Sequence, residues 1–171
     1  AMAEKQIQLA RGANPLTGLP GNVAIDREIE HKLDARTPFA ILYADLNNFK
    51  HYNDAFGFKQ GDRVIKMLAE ILLEEAVQSD DPAFVGHIGG DDFIVIHRVA
   101  KIENYSNRVL KSFQELSANQ PGADYLSVAL AGLIIDPNHE QMNWSAQLVA
   151  QKCAIVKKEA KELGGNVIVL R

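Results

Sequence analysis

The sequence predicts an α+β fold: a ferredoxin-like split βαββαβ core, with a capping helix before it and an extra helix and strand after it. Three observations predict this. From Pro38 onward, apolar runs of strand length alternate with amphipathic stretches of helix length. Two of the apolar runs are separated only by a glycine-containing turn, as in a hairpin. The resulting order is strand, helix, strand, strand, helix, strand, helix, strand. Its first six members match the split motif, a mainly antiparallel sheet with helices packed on one face.

Each element has its own warrant. "NVAIDREIEHKLDAR" sets Ile25, Ile29 and Leu33 at steps of four, an amphipathic helix with Asn22 as its N-cap. "PFAILYADL" is a continuous apolar run ending in an aspartate, which suits a central strand buried on both faces. "QGDRVIKMLAEILLEEA" carries Val64, Ile65, Leu68, Ile71 and Leu72 on one helical face. "AFVGHI" and "FIVIH" form the hairpin. "IENYSNRVLKSFQELSA" is a second long helix through Ile102, Val109, Leu110, Phe113 and Leu116, and "YLSVALAGLII" is a long strand. "WSAQLVAQKCAIVKKEAKELGG" is a helix stopped at Gly164–Gly165, and "NVIVL" closes as a strand.

The totals narrow the class. A chain of 171 residues with 47% hydrophobic content suits one globular domain with a sizeable core. The domain is expected to span 1–171 as part of a longer multidomain protein. The longest apolar run, around residues 126–135, is too short to span a bilayer, and no basic stretch precedes an apolar one at the start, so neither membrane contact nor a secretory signal is expected. A net charge of −4 argues against a nucleic-acid polymer as partner. The single cysteine, Cys153, excludes an internal disulfide and reads as a packed thiol, in keeping with a cytoplasmic location.

The residues with chemical character gather at strand ends. Asp45 ends the first strand, and Asp91 and Asp92 sit at the tip of the hairpin in "HIGGDDFIVI". The topology lays these strands side by side, so three carboxylates can converge. Like charges so placed raise one another's pKa unless cations neutralise them, and an all-oxygen ligand set suits Mg²⁺. Two such ions about 3.5–4 Å apart can clamp an in-line phosphoryl displacement. Gly89 and Gly90 let the backbone approach a ligand. The plainer reading stays open: Asp91 and Asp92 as ordinary turn residues and Asp45 as a strand-end cap. "DLNNFKHYNDAFGFKQGD" (residues 45–62) then supplies backbone donors, Lys50, Asn53, Asp54 and Asp62. These suit phosphate and a purine edge, or else a solvated loop.

Together "NPLTGLPGN", "DLNNFKHYNDAFGFKQGD", "GGDDF" and "AKELGGNV" resemble the GGDEF family, the diguanylate cyclase domains of bacterial cyclic-di-GMP signalling, over nearly the whole chain. The resemblance implies a nucleotide-cyclase or palm-like fold. It also implies a homodimer in which each GTP ribose 3′-OH attacks the partner's α-phosphate. It makes Asp45, Asp91 and Asp92, with the carbonyl of Leu46, the ligands of two Mg²⁺ or Mn²⁺ ions. Asp92 stands where the family also activates the 3′-hydroxyl. Lys50 and the backbone N–H groups of Asn48 and Phe49 would steady phosphate, Asn53 and Asp62 would recognise guanine, and Lys161 would reach the terminal phosphates.

The chain departs from the family pattern at several positions. Asp92 replaces the usual glutamate, Asn47 a second aspartate, Gly165 a tail arginine, Lys158 an aromatic and Asn14 an aspartate. Nearby Lys157 or Lys158 is the candidate to compensate for the lost arginine. The inhibitory RxxD motif would fall at residues 80–83, which read "DDPA", so no inhibitory site is expected. The family also admits a linked EAL or sensor domain. It therefore offers an alternative, a weak or inactive GTP-binding regulatory module of a GGDEF–EAL phosphodiesterase. A ligand-free dimerisation scaffold would explain the fold but not the carboxylates.

The remaining candidates have plain structural readings. His87 and His97 bracket the hairpin and are expected to be structural or solvated rather than a transition-metal pair. Trp144 is expected to pack, "EIEHKLDAR" to be a solvated face, and Ser127 has no neighbouring base that would make it a nucleophile.

Overall fold

The computed structural model describes residues 12–78 and 80–171. The expectation about a secretory signal concerns residues 1–11 and lies outside the described residues. In chain order the elements are α1 (Asn22–Asp34), β1 (Phe39–Leu46), α2 (Phe49–Phe56), α3 (Phe58–Ala76), β2 (Phe84–Gly89), β3 (Asp92–His97), α4 (Val99–Ser117), a 3₁₀ turn (Ala123–Tyr125), β4 (Val128–Ile135), α5 (Ala146–Leu163) and β5 (Val167–Leu170). Among the described residues the strands form one sheet in the order β2-β3-β1-β4-β5. β1 runs antiparallel to both neighbours, and the added β5 pairs parallel to β4. This is the α+β architecture that the periodicities predict.

The alternation of β1 explains how the sheet is covered. Ala40, Leu42, Ala44 and Leu46 point into a core shared with α2, α3 and α4, through Tyr52, Leu68, Leu72, Tyr105 and Phe113. Phe39 and Ile41 point the other way, onto Ile25 and Ile29 of α1 and Val149 and Cys153 of α5. Val156 and Ala160 of α5 extend that layer over Ala129, Ala131 and Val169. Helices therefore cover both faces, which corrects the one-face expectation. A strand as apolar as β1 needs cover on both sides, because either face left wet would forfeit its burial.

Other corrections are local. Asn22 is not the N-cap of α1. Gly21 holds that position without a side-chain bond, and Asn22 is the first helical residue. From Phe49 the 45–62 stretch is helical rather than a loop. Phe49, Tyr52 and Phe56 make an apolar stripe along α2, and Gly57 at φ 86° separates it from α3. The long strand begins at Val128, with Tyr125 in the preceding turn and exposed. Leu116 is exposed near the end of α4 rather than in the core. Trp144 precedes α5, whose N-cap is Ser145. The indole packs against the α1 and α5 layer and donates to the carbonyl of Asp136 at 2.8 Å.

Candidate active site

The C-terminal end of β1 and the start of β3 meet at one end of the sheet, where Asp45 and Asp92 are register partners. Both belong to the face covered by α5, whose Lys157 and Lys161 reach down onto them. Asp45 is 3% exposed. The signature turn makes the approach possible: the ladder shifts register between His87 and Gly89, and Gly90 sits at φ 53°, a left-handed conformation that glycine takes at no steric cost. The three aspartates, with Lys157, Lys158 and Lys161, line an open cleft of about 640 Å³.

Electrostatics in the cleft follow from this crowding. Burial, then the adjoining Asp91 carboxyl, push Asp45 up to about 6 against the pull of Lys161. Burial likewise raises Asp92, with Asp45 adding to the rise and Lys157 opposing it. Burial alone would lower Lys161, but its ion pair with Asp45 leaves it raised. Lys157 Nζ stands 2.9 Å from Asp92 Oδ1 and 3.9 Å from Asp45 Oδ2. Asp45 Oδ1 is buried without a hydrogen-bond partner. Among the described residues no set of three His, Cys, Asp or Glu side chains closes into a metal cage. The expected convergence of three carboxylates is thus realised as a neighbourhood with lysines as counter-charges. An orphaned buried carboxylate oxygen beside two further aspartates remains a donor set fitted to a divalent cation, with the carbonyl of Leu46 next in the chain.

A second cluster lies on α2 and α3. Asn53 and Asp62 come from the two helices, and Gly61 between them is packed so closely that a Cβ there would stand 1.8 Å from Asn53 Oδ1. That oxygen is buried and without a hydrogen-bond partner, while Asp62 is exposed. An acceptor fixed beside an exposed carboxylate suits the amide and amino edge of a guanine. Asn48 takes up φ 50° at the start of α2, which has no side-chain cap, so the Asn48 and Phe49 backbone leads into an uncapped helix N-terminus. Lys50 is exposed on α2 and does not line the carboxylate cleft.

The departures from the family pattern have structural accounts. The Asn47 amide donates to the carbonyl of Gly165 at 2.8 Å and to Ser127 Oγ at 2.9 Å, which a carboxylate could not do. Ser127 is thereby a hydrogen-bond partner of Asn47. Asn14 Oδ1 accepts from Leu16 N at 2.9 Å, a role an aspartate would share. Lys158 is 81% exposed and pairs with Glu162, so of the two candidate compensators only Lys157 turns toward the carboxylates. Its signal in the sequence is the four-residue step to Lys161, one turn along the same helix face.

Both bracketing histidines are buried. His87 stacks on Phe93, and its Nε2 lies 2.8 Å from the carbonyl of Gly90, an acceptor that forces that nitrogen to donate. Its Nδ1 then accepts from Thr17 Oγ1 at 2.8 Å. Burial keeps the ring's pKa below the usual value despite the Gly90 bond. His97 lies edge-on to Tyr105. Cys153 is packed, its thiol pushed up to about 12 by burial.

Fold and site together define a GGDEF-type domain, and comparison with known proteins agrees. The family model for the diguanylate cyclase GGDEF domain matches residues 13–163, and the chain belongs to that family. The chain is 32% identical over 94 residues, 53% of its length and 14% of the relative's, to the diguanylate cyclase DgcP of Pseudomonas aeruginosa. It is 30% identical over 132 residues, 75% of its length and 35% of the relative's, to the uncharacterized protein YhcK of Bacillus subtilis. The chain thus spans about a third or less of these relatives. The crystal structure of the coiled coil and GGDEF domain of DgcB from Caulobacter crescentus in complex with c-di-GMP superposes with a TM-score of 0.80. That match has 19% identity and covers 99% of this chain and 91% of the other. Among the described residues no helix is long and apolar enough to cross a membrane.

Proposed function

We propose that this chain is the catalytic module of a diguanylate cyclase, condensing two molecules of GTP to cyclic-di-GMP as a dimer. The observation that carries the reading is the cross-strand pair of Asp45 and Asp92, with Asp91 beside it and a buried oxygen of Asp45 left without a partner. Asp45, Asp91, Asp92 and the carbonyl of Leu46 would hold Mg²⁺ or Mn²⁺. A divalent cation bound there draws negative charge off the phosphate under attack.

The chain's own residues do the rest. Asn53 and Asp62 take the guanine edge, the acceptor positioned by its contact with Gly61. The Asn48 and Phe49 N–H groups and Lys50 hold phosphate at the start of α2, and Lys161 meets the terminal phosphates from α5. The 3′-oxygen of one nucleotide bonds to the α-phosphorus of the other. The bond from that phosphorus to its bridging oxygen breaks, and pyrophosphate leaves. Asp92, raised by burial, receives the hydroxyl proton. The reciprocal attack closes the ring, which is why a second copy of the domain is the required partner.

The test is a forced dimer, the chain fused to a coiled coil and incubated with GTP and Mg²⁺ or Mn²⁺, with nucleotides separated by anion exchange. Cyclic-di-GMP is expected, and it should vanish in Asp45→Ala. Unchanged GTP from the dimer would overturn the reading.

A further inference from the structure

Lys157 sits in a seat with three walls. Its ammonium lies 2.9 Å from Asp92 Oδ1, 3.9 Å from Asp45 Oδ2 and 5.5 Å from the centre of the Tyr43 ring. Tyr43 precedes Asp45 by two residues in β1 and therefore shares its face. The side chain is 26% exposed, against 81% for its neighbour Lys158. It is thus not a solvated surface lysine, and no tail arginine stands at position 165 to crowd it.

An ammonium seated on a carboxylate does what a metal ion there would do: it neutralises charge and occupies the oxygen. The two compete for Asp92 at short range, because like charges a few ångströms apart repel even in water. Lys161, one turn further on, pairs with Asp45 and leaves Asp92 to Lys157.

We propose that Lys157 is a built-in counter-ion that competes with the divalent cation for Asp92, so that metal enters this site only by displacing the lysine. This rests on the carboxylate cleft being the metal site of the preceding reading. Lys157 thereby sets the metal concentration at which the site fills, and its arrangement belongs to this chain's sequence: Lys157 reaches two acids from a position four residues before Lys161.

The experiment is a Mn²⁺ titration of the metal-free chain, followed by loss of the free-ion electron paramagnetic resonance signal. It compares wild type, Lys157→Met and Lys157→Arg. Methionine keeps an apolar stem over Tyr43 and removes the charge. Lys157→Met is expected to bind Mn²⁺ about tenfold more tightly, with Lys157→Arg close to wild type. Equal or weaker affinity in a folded Lys157→Met overturns the proposal. If that variant melts early, Lys157→Gln carries the same expectation.

The same preparations, forced into dimers, are assayed for cyclic-di-GMP to separate the two readings. Product without any change of Mn²⁺ affinity removes the counter-ion alone. Tighter Mn²⁺ binding without product from any variant removes the cyclase alone. No Mn²⁺ binding in any variant removes both.

Discussion

Asp45 of β1 and Asp92 of β3 stand directly opposite one another in antiparallel register, on the face of the sheet that α5 covers. Like charges in that relation destabilise a sheet, and here Asp45 is also buried and Asp92 half-buried. The lysines of α5 offset the conflict without removing it, since both acids remain raised. A fold that keeps such a pair spends stability on a site.

That cost is measurable. Asp45 has a folded pKa of about 6 against 3.8 unfolded. Between those values the folded chain holds a proton that the unfolded chain has lost, so stability falls as pH rises through the window. Asp45→Asn escapes the loss. In metal-free buffer its melting temperature relative to wild type should be higher at pH 7.5 than at pH 4, by roughly 2–4 °C for each kcal/mol recovered. The same difference at both pH values would refute the account.

Gly61→Ala should disturb the nucleotide cluster. The new methyl would meet Asn53 Oδ1 at 1.8 Å, so the amide must move. Alanine gains about 1 kcal/mol over glycine within a helix, whereas overpacking costs about 1–3 kcal/mol, so a small net destabilisation is expected. GTP affinity, measured by calorimetry, should fall about tenfold because the acceptor leaves its position. Wild-type affinity in this variant would show that Asn53 does not read the base.

Asn47→Asp restores the residue usual in the family and should nonetheless destabilise this chain. The amide donates to the Gly165 carbonyl and to Ser127 Oγ, and a carboxylate would turn an acceptor toward the carbonyl. A loss of about 1–2 kcal/mol is expected by urea denaturation. An unchanged midpoint would mean that the tail is held by other contacts, such as the 2.9 Å bond from Val128 N to Asn166 Oδ1.

The legible parts of the molecule were those with a local cause. β1 and β3 are uniform apolar runs, so their existence, and the meeting of Asp45 with the signature turn, follow from pattern and topology. α2 was hidden because Lys50, His51, Asn53 and Asp54 dominate its composition, and its stripe of Phe49, Tyr52 and Phe56 spans little more than two turns. The two-sided cover was implied by β1 alone, yet which helices supply it depends on chain path rather than periodicity. The seat of Lys157 was out of reach for a similar reason: it needs β1, β3 and α5 docked together. The crowding of Asn53 by Gly61 becomes visible only once α2 and α3 have turned against each other at Gly57.

The loop before α1 has a mechanical consequence. Its ends are joined by the bond from Gly21 N to the Gly12 carbonyl. It is fastened to β2 by His87 N on the Pro20 carbonyl, and to the signature turn through Thr17, the His87 ring and Gly90. These attachments all approach the hairpin through β2, away from α5. The turn is therefore clamped from behind, like a blade held by its tang, while the edge bearing Asp91 and Asp92 stays clear.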